Sequence, residues 1–172
     1  MTPHVVFLCT GNAARSVMAG AMLEAAGTAV RVTTAGTHVV EHQPISIRTR
    51  RALEVVGLHA SLHRSRQLTD TDVRTADLVV AMAGEHVSYV RRRHPEGSDR
   101  TATLEFLVEH LPTGTSPLAE RVAALRRDAL HDSLLGFIVK PAAAHLLELR
   151  EGVVEPLHEI AQLLIQPVHF NL

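Results

Sequence analysis

Apolar residues fill nearly every position of HVVFLC (4–9), and the run stops abruptly at Thr-Gly-Asn. A short apolar run rich in β-branched residues and bounded by turn formers predicts a buried parallel strand. The period then changes. From Arg15 to Ala26 helix formers dominate. Val17, Met18, Ala21, Met22 and Ala25 recur at helical spacing, and Gly27 offers a C-cap. VRVTTAG (30–36) predicts a second strand. ISIRTRRALEVVGL (45–58) predicts a helix that turns Ala52, Val55 and Val56 inward and stops at Gly57. TDTDVRTA (69–76) supplies caps and a short helix start, DLVVAMA (77–83) a third buried strand, and EHVSYVRRRHP (85–95) a helix ended by Pro95. TATLEFLVEHL (101–111) fits a short strand and a helix equally well. Ser116-Pro117 opens a helix predicted to run to Leu135, and VVEPLHEIAQLLI (153–165) predicts a last amphipathic helix.

Strands thus alternate with helices, the pattern of an α/β sandwich around a mostly parallel sheet. No internal repeat, low-complexity tract or linker divides the chain, so residues 1–172 read as a single domain. The 172 residues and 46% apolar content suit one folded core.

Charge and cysteine usage narrow the chemistry. The formal net charge of −1 gives no overall attraction to nucleic acid or to an anionic membrane. The run Arg91-Arg92-Arg93-His94 reads as a solvated helix end. One cysteine excludes an internal disulfide and a Cys-rich zinc cage, and suits a reducing cytoplasm. The N-terminus lacks a basic start and no apolar run approaches the roughly 20 residues of a membrane span, so a soluble cytoplasmic protein is expected. His38 with His42, and His59 with His63, have i,i+4 spacing, yet neither pair has an evident third ligand and no metal is expected. No Rossmann, Walker or GxSxG motif is present, and no cofactor is expected.

The chemistry concentrates after the first strand. In an open parallel sheet, ligands bind beyond the carboxyl ends of the strands. Cys9 ends the first strand, and the next helix begins about six residues later. The intervening amides of Thr10, Gly11, Asn12, Ala13 and Ala14 can curl into an anion-binding nest, with the helix N-terminus adding its dipole. Gly11 and Asn12 tolerate the positive φ such a curl needs, and Ala13 and Ala14 leave it open. A thiol at the rim of this pocket is stabilised as its anion. Arg15 brings a planar fork for two phosphate oxygens, and Ser16 a hydroxyl that can donate to the sulfur. Nucleophile and oxyanion cradle therefore come as one unit.

VVFLCTGNAARSVMAG resembles the Cys-x5-Arg-Ser phosphate loop of the low-molecular-weight protein tyrosine phosphatases, a superfamily that includes thioredoxin-coupled arsenate reductases. The resemblance continues in TTAGTH, HRSRQLT and ADLVVAMAGEH, to about residue 95. It implies a three-layer sandwich with a four-stranded parallel sheet and helices on both faces. It implies a phosphate-monoester hydrolase acting through a phosphocysteine, with Cys9 as nucleophile, Arg15 on the phosphate, and Asn12 and Ser16 shaping the loop. Thr34 and His63 would buttress it. The implied partners are a phosphorylated protein, phosphotyrosine by family default, or a small phosphomonoester, with inorganic phosphate as product.

Two departures matter. The family's general acid is an Asp-Pro near the C-terminus, and the best match here is Lys140-Pro141, followed by Ala142 and Ala143 in place of aromatic residues. A positioned acid is worth about 10² to 10⁴ in rate. Asp128 or Asp132 could enter the site from upstream, although both read as surface helix acids. Lys140 itself could donate if desolvated, or the substrate could need no acid. The chain also lacks the additional cysteines of the thioredoxin-coupled reductases, and Ala14 lacks the neighbouring thiol of some phosphatases. The rivals that remain are an arsenate reductase using an external thiol and a catalytically weakened phosphate-binding protein.

Overall fold

All six residues of HVVFLC are buried, and they form one of the two interior strands of the sheet. The computed structural model describes residues 2–112 and 116–132, the last seven of these (126–132) as helical backbone. In chain order it contains β1 (His4–Cys9), α1 (Arg15–Ala25), β2 (Arg31–Gly36), α2 (Ile47–Val55), α3 (Asp70–Thr75), β3 (Leu78–Ala81), α4 (Gly84–Arg93), a 3-10 helix (Pro95–Arg100), β4 (Thr101–Thr103), α5 (Leu104–His110) and α6 (Leu118–Asp132). The four strands are parallel in the order β2-β1-β3-β4.

Because side chains alternate along a strand, β1 feeds two cores. Val5 and Phe7 pack with Ala19 and Leu23 of α1, Leu104 and Leu107 of α5, and Leu118 and Val122 of α6. Val6 and Leu8 face the other side, with Leu68, Val73 of α3 and Val90 of α4. A third cluster joins Val17 of α1 to Ile45 and Leu53 beside and within α2. Each fully buried side chain of this size contributes about 1.5–3 kcal/mol. The strand order reverses at β1, where the chain crosses first to β2 and later to β3. The crevice of an open sheet lies at such a point, so the sheet itself places the Cys9 loop in it.

The structure corrects several local readings. On α1 the buried stripe is Val17, Ala19, Gly20 and Leu23, whereas Ala25 is exposed. The helix lies so close to β2 that a Cβ on Gly20 would stand 2.7 Å from Thr34 Cγ2. On α2, Leu53 and Thr49 point inward, and Val55 and Val56 are 86% and 44% exposed. That helix rests on α1 and the loop region rather than across the sheet, so its inward stripe begins at a polar position. TATLEFLVEHL is both strand and helix: Thr103 ends β4 and its hydroxyl caps α5 by accepting from Phe106 N at 3.2 Å. At the end of α4 the arginines are exposed, yet His94 is buried and pairs with Asp70 at 2.7 Å. The helix predicted from Ser116 is observed as α6, and the one predicted over 153–165 lies outside the described residues.

Candidate active site

The segment from Thr10 to Ala14 leaves β1 and enters α1 without regular structure. Asn12 makes the turn at φ 49°, the left-handed region that asparagine enters at low cost. Its side chain then works in two directions. Nδ2 donates to Ser16 Oγ at 3.1 Å, and Oδ1 accepts from the amide of Arg66 at 3.0 Å. Its carbonyl bonds His63 Nε2 at 2.7 Å. Arg66 is fixed in turn by a two-pronged contact with Asp72, Nη1–Oδ2 2.8 Å and Nη2–Oδ1 2.5 Å. Asp72 also completes the capping box that opens α3 with Thr69. One continuous chain of hydrogen bonds therefore runs from α3 to the loop.

Cys9 is 3% exposed, and its Sγ lies 3.0 Å from Ser16 Oγ. The sulfur forms the floor of the loop and not its rim, which corrects the sequence expectation. The rim consists of Thr10, Ala14 and Arg15, all exposed. Floor placement follows from β1, since Cys9 is the last residue of a strand buried on both faces and its carbonyl accepts from Thr37 N at 2.9 Å. Thiol and hydroxyl can each donate in that contact, while Ser16 Oγ also accepts from Asn12 Nδ2.

The loop amides complete the arrangement. Among the described residues, no hydrogen bond joins the N–H groups of Gly11 to Ser16 to an acceptor. The N-cap of α1 is Ala14, which has no capping side chain, and no acidic residue lies in the first turn. By contrast, Ser46, Thr69 and Thr103 cap α2, α3 and α5. Buried or half-buried amides are normally paired, and a run of free ones at a helix N-terminus is what a tetrahedral anion needs. Arg15 Nη2 reaches back to Thr10 Oγ1 at 3.3 Å, spanning the loop from its end to its start.

Three further groups hold this shape. Thr49 of α2 donates to the carbonyl of Ala13 at 3.1 Å. Gly36 lies against the loop, and a Cβ there would meet Thr10 O at 2.6 Å and Asn12 N at 3.0 Å. Thr10 Oγ1 also bonds His86 Nε2 at 3.0 Å. Burial pushes the His86 imidazole below its ordinary value; Arg15 and His38 add to this and Glu85 opposes it.

The structure thus brings Cys9, Thr10, Gly11, Asn12, Ala13, Ala14, Arg15, Ser16 and His63 together. Thr34 instead pairs with Phe7 across the sheet, and among the described residues its side chain makes no hydrogen bond to the loop. Asp128 and Asp132 belong to the backbone of α6, and Lys140, Ala142 and Ala143 lie outside the described residues. Sequence reasoning missed Thr49, Arg66, Asp72 and His86. The one local signal was the Thr69-x-x-Asp72 cap pattern, which marks Asp72 as a helix-opening residue and not as part of the site. Among the described residues, His38, His42, His59 and His63 form no metal-binding cluster; His94 stands near Asp70 and Glu96 instead. No helix among the described residues is long and apolar enough to cross a membrane.

Known proteins share this architecture. A protein-arginine-phosphatase of Geobacillus stearothermophilus is 37% identical over 109 residues, 63% of this chain and 73% of the relative. A probable low molecular weight protein-tyrosine-phosphatase, EpsP of Ralstonia solanacearum, is 34% identical over 95 residues, 55% of this chain and 66% of its own. The solved structure of the YwlE arginine phosphatase from Geobacillus stearothermophilus superposes with a TM-score of 0.61 at 31% identity, covering 77% of this chain and 92% of that one. The profile of the low molecular weight phosphotyrosine protein phosphatases matches residues 4–126. The chain belongs to that family, and it is a phosphatase.

Proposed function

We propose that Cys9 is the nucleophile of a protein phosphatase reaction carried out in the cytoplasm. The thiolate attacks phosphorus, an S–P bond forms, and the bond from phosphorus to the leaving group breaks, P–O in a phosphomonoester and P–N in phosphoarginine. Water then cleaves the phosphocysteine, releasing inorganic phosphate and restoring the sulfur. The amides of Gly11 to Ser16 and the Arg15 fork hold the phosphoryl oxygens, and Asn12 and Ser16 keep loop and sulfur in register. The observation that carries this reading is the 3.0 Å contact of Cys9 Sγ with Ser16 Oγ, on the floor of a loop whose amides have no acceptor among the described residues. A single unpaired cysteine suits a reducing compartment.

The test is hydrolysis of para-nitrophenyl phosphate, whose good leaving group needs little acid assistance. Cys9→Ser should abolish it. Phosphate binding without turnover in the unsubstituted protein would support a weakened binding protein, and thiol-dependent arsenite formation a reductase.

Phosphotyrosine in proteins is the first substrate reading. Protein phosphoarginine is the second, favoured by the 37% identity to a relative named for that activity. Parallel kcat/KM values on phosphotyrosine and phosphoarginine peptides separate them. Lys140, where the family carries its acid, is read as slowing release of poor leaving groups. Lys140→Asp should then raise turnover of phenyl phosphate more than that of para-nitrophenyl phosphate.

A further inference from the structure

His86 stands on the first turn of α4, a separate element that follows β3, and is 1% exposed. Its Nε2 meets Thr10 Oγ1 at 3.0 Å, and the same hydroxyl receives Arg15 Nη2 at 3.3 Å. Its other ring nitrogen, Nδ1, is buried with no hydrogen-bond partner among the described residues. We propose that His86 is a positioning residue for phosphate transfer: it pins the Thr10 hydroxyl, and through it holds the Arg15 guanidinium over the loop before substrate arrives.

The argument is one of order and cost. Thr10 and Arg15 are both exposed, so neither is immobilised by packing. A free arginine side chain carries rotamer entropy that substrate binding would have to remove. A rigid anchor removes it in advance, and His86 is rigid because it is enclosed. The counterweight is Nδ1, which has no partner among the described residues. Leaving a buried polar atom without a partner is costly, and an apolar side chain would avoid that cost. Such a group persists where its other end does something.

Charge agrees with the geometry. Among the described residues, the charged and titratable groups around the imidazole are Glu85, whose Oε1 is 3.9 Å from Nε2, with Arg15 and His38. Held neutral, the ring anchors Thr10 without placing a second cation beside Arg15. A neutral Nε2 offers either an N–H or a lone pair, and a hydroxyl can answer both.

This inference rests on the phosphatase reading, and the experiment separates the two. In the full chain, His86→Leu should lower kcat/KM for para-nitrophenyl phosphate roughly 10-fold and weaken inhibition by inorganic phosphate to a similar degree. Thr10→Val, at an exposed position, should do the same. The double variant should lose no more than either single one, because both substitutions cut the same link. His86→Gln, whose amide can reach the hydroxyl, should recover most of the loss. Calorimetric phosphate binding in a Cys9→Ser background should show the His86→Leu deficit even without turnover. Unchanged activity and phosphate affinity in His86→Leu, losses that multiply in the double variant, or no recovery with glutamine would each overturn the proposal. Failure of Cys9→Ser to abolish hydrolysis would overturn the nucleophile assignment and leave the binding measurement intact.

Discussion

Each end of β1 carries an enclosed histidine close by, and the two are treated in opposite ways. At the amino end His4 is 3% exposed, with Nε2 2.9 Å from Thr33 Oγ1 and Nδ1 2.7 Å from Arg31 Nη2. Its amide donates to Asp77 Oδ2 at 2.7 Å, and its carbonyl accepts from Asp77 N at 2.9 Å. Donors and acceptors there close on one another. At the carboxyl end the polar groups close around the loop, while among the described residues the loop's own amides and one His86 nitrogen find no partner. The same interactions serve cohesion at one end and hold a cradle open at the other. Location in a parallel sheet decides which, because β1 directs its carboxyl end and the following helix N-terminus to the same crevice.

The contrast makes measurable claims. Arg15→Lys keeps the charge and loses the fork, so kcat/KM should fall by about 10² to 10³ with an unchanged melting temperature. A parallel drop in melting temperature would show the carboxyl end to be cohesive after all. Gly36→Ala comes next. Its Cβ would stand 2.3 Å from Val39 Cγ1 and press on Thr10 O, shifting the loop. Activity should fall roughly 10²-fold, as for a misplacement of about 1 Å, alongside a stability loss of about 1–3 kcal/mol. At the amino end, His4→Leu should cost about 1–3 kcal/mol in denaturant unfolding, with kcat/KM per folded molecule unaltered. An altered kcat/KM would erase the distinction between the two ends.

The smallest effect is on pH. Burial pushes both His4 and His86 below the ordinary 6.5. Below that value the unfolded chain binds protons that the folded chain resists, so stability is full above pH 6.5 and declines as pH falls through the lowered folded values. Melting temperature should therefore drop between about pH 7.5 and about pH 5.5. His86→Gln should flatten part of that slope and leave the share that His4 contributes.

What could be read from the sequence was what is local. The strand, the thiol, the turn at Asn12 and the helix opening at Arg15 lie within a dozen residues, and each is specified by side-chain type at its own position. The frame around the loop is not local. Arg66 N reaches Asn12 across 54 positions and His86 reaches Thr10 across 76, and no periodicity announces such pairs. His63, which the family resemblance sets beside the loop, bonds the Asn12 carbonyl across 51 positions. The misread stripe of α2 has the same cause: Thr49 faces inward because a carbonyl of the loop awaits it, a fact absent from the helix itself.

The central claim is a covalent one, and rapid acid quenching tests it most directly. Enzyme mixed with para-nitrophenyl phosphate, stopped within the first turnovers and mapped by mass spectrometry should carry one phosphoryl group on the peptide that contains Cys9. Steady hydrolysis with that peptide unmodified, or with the phosphoryl group on another residue, would contradict the account.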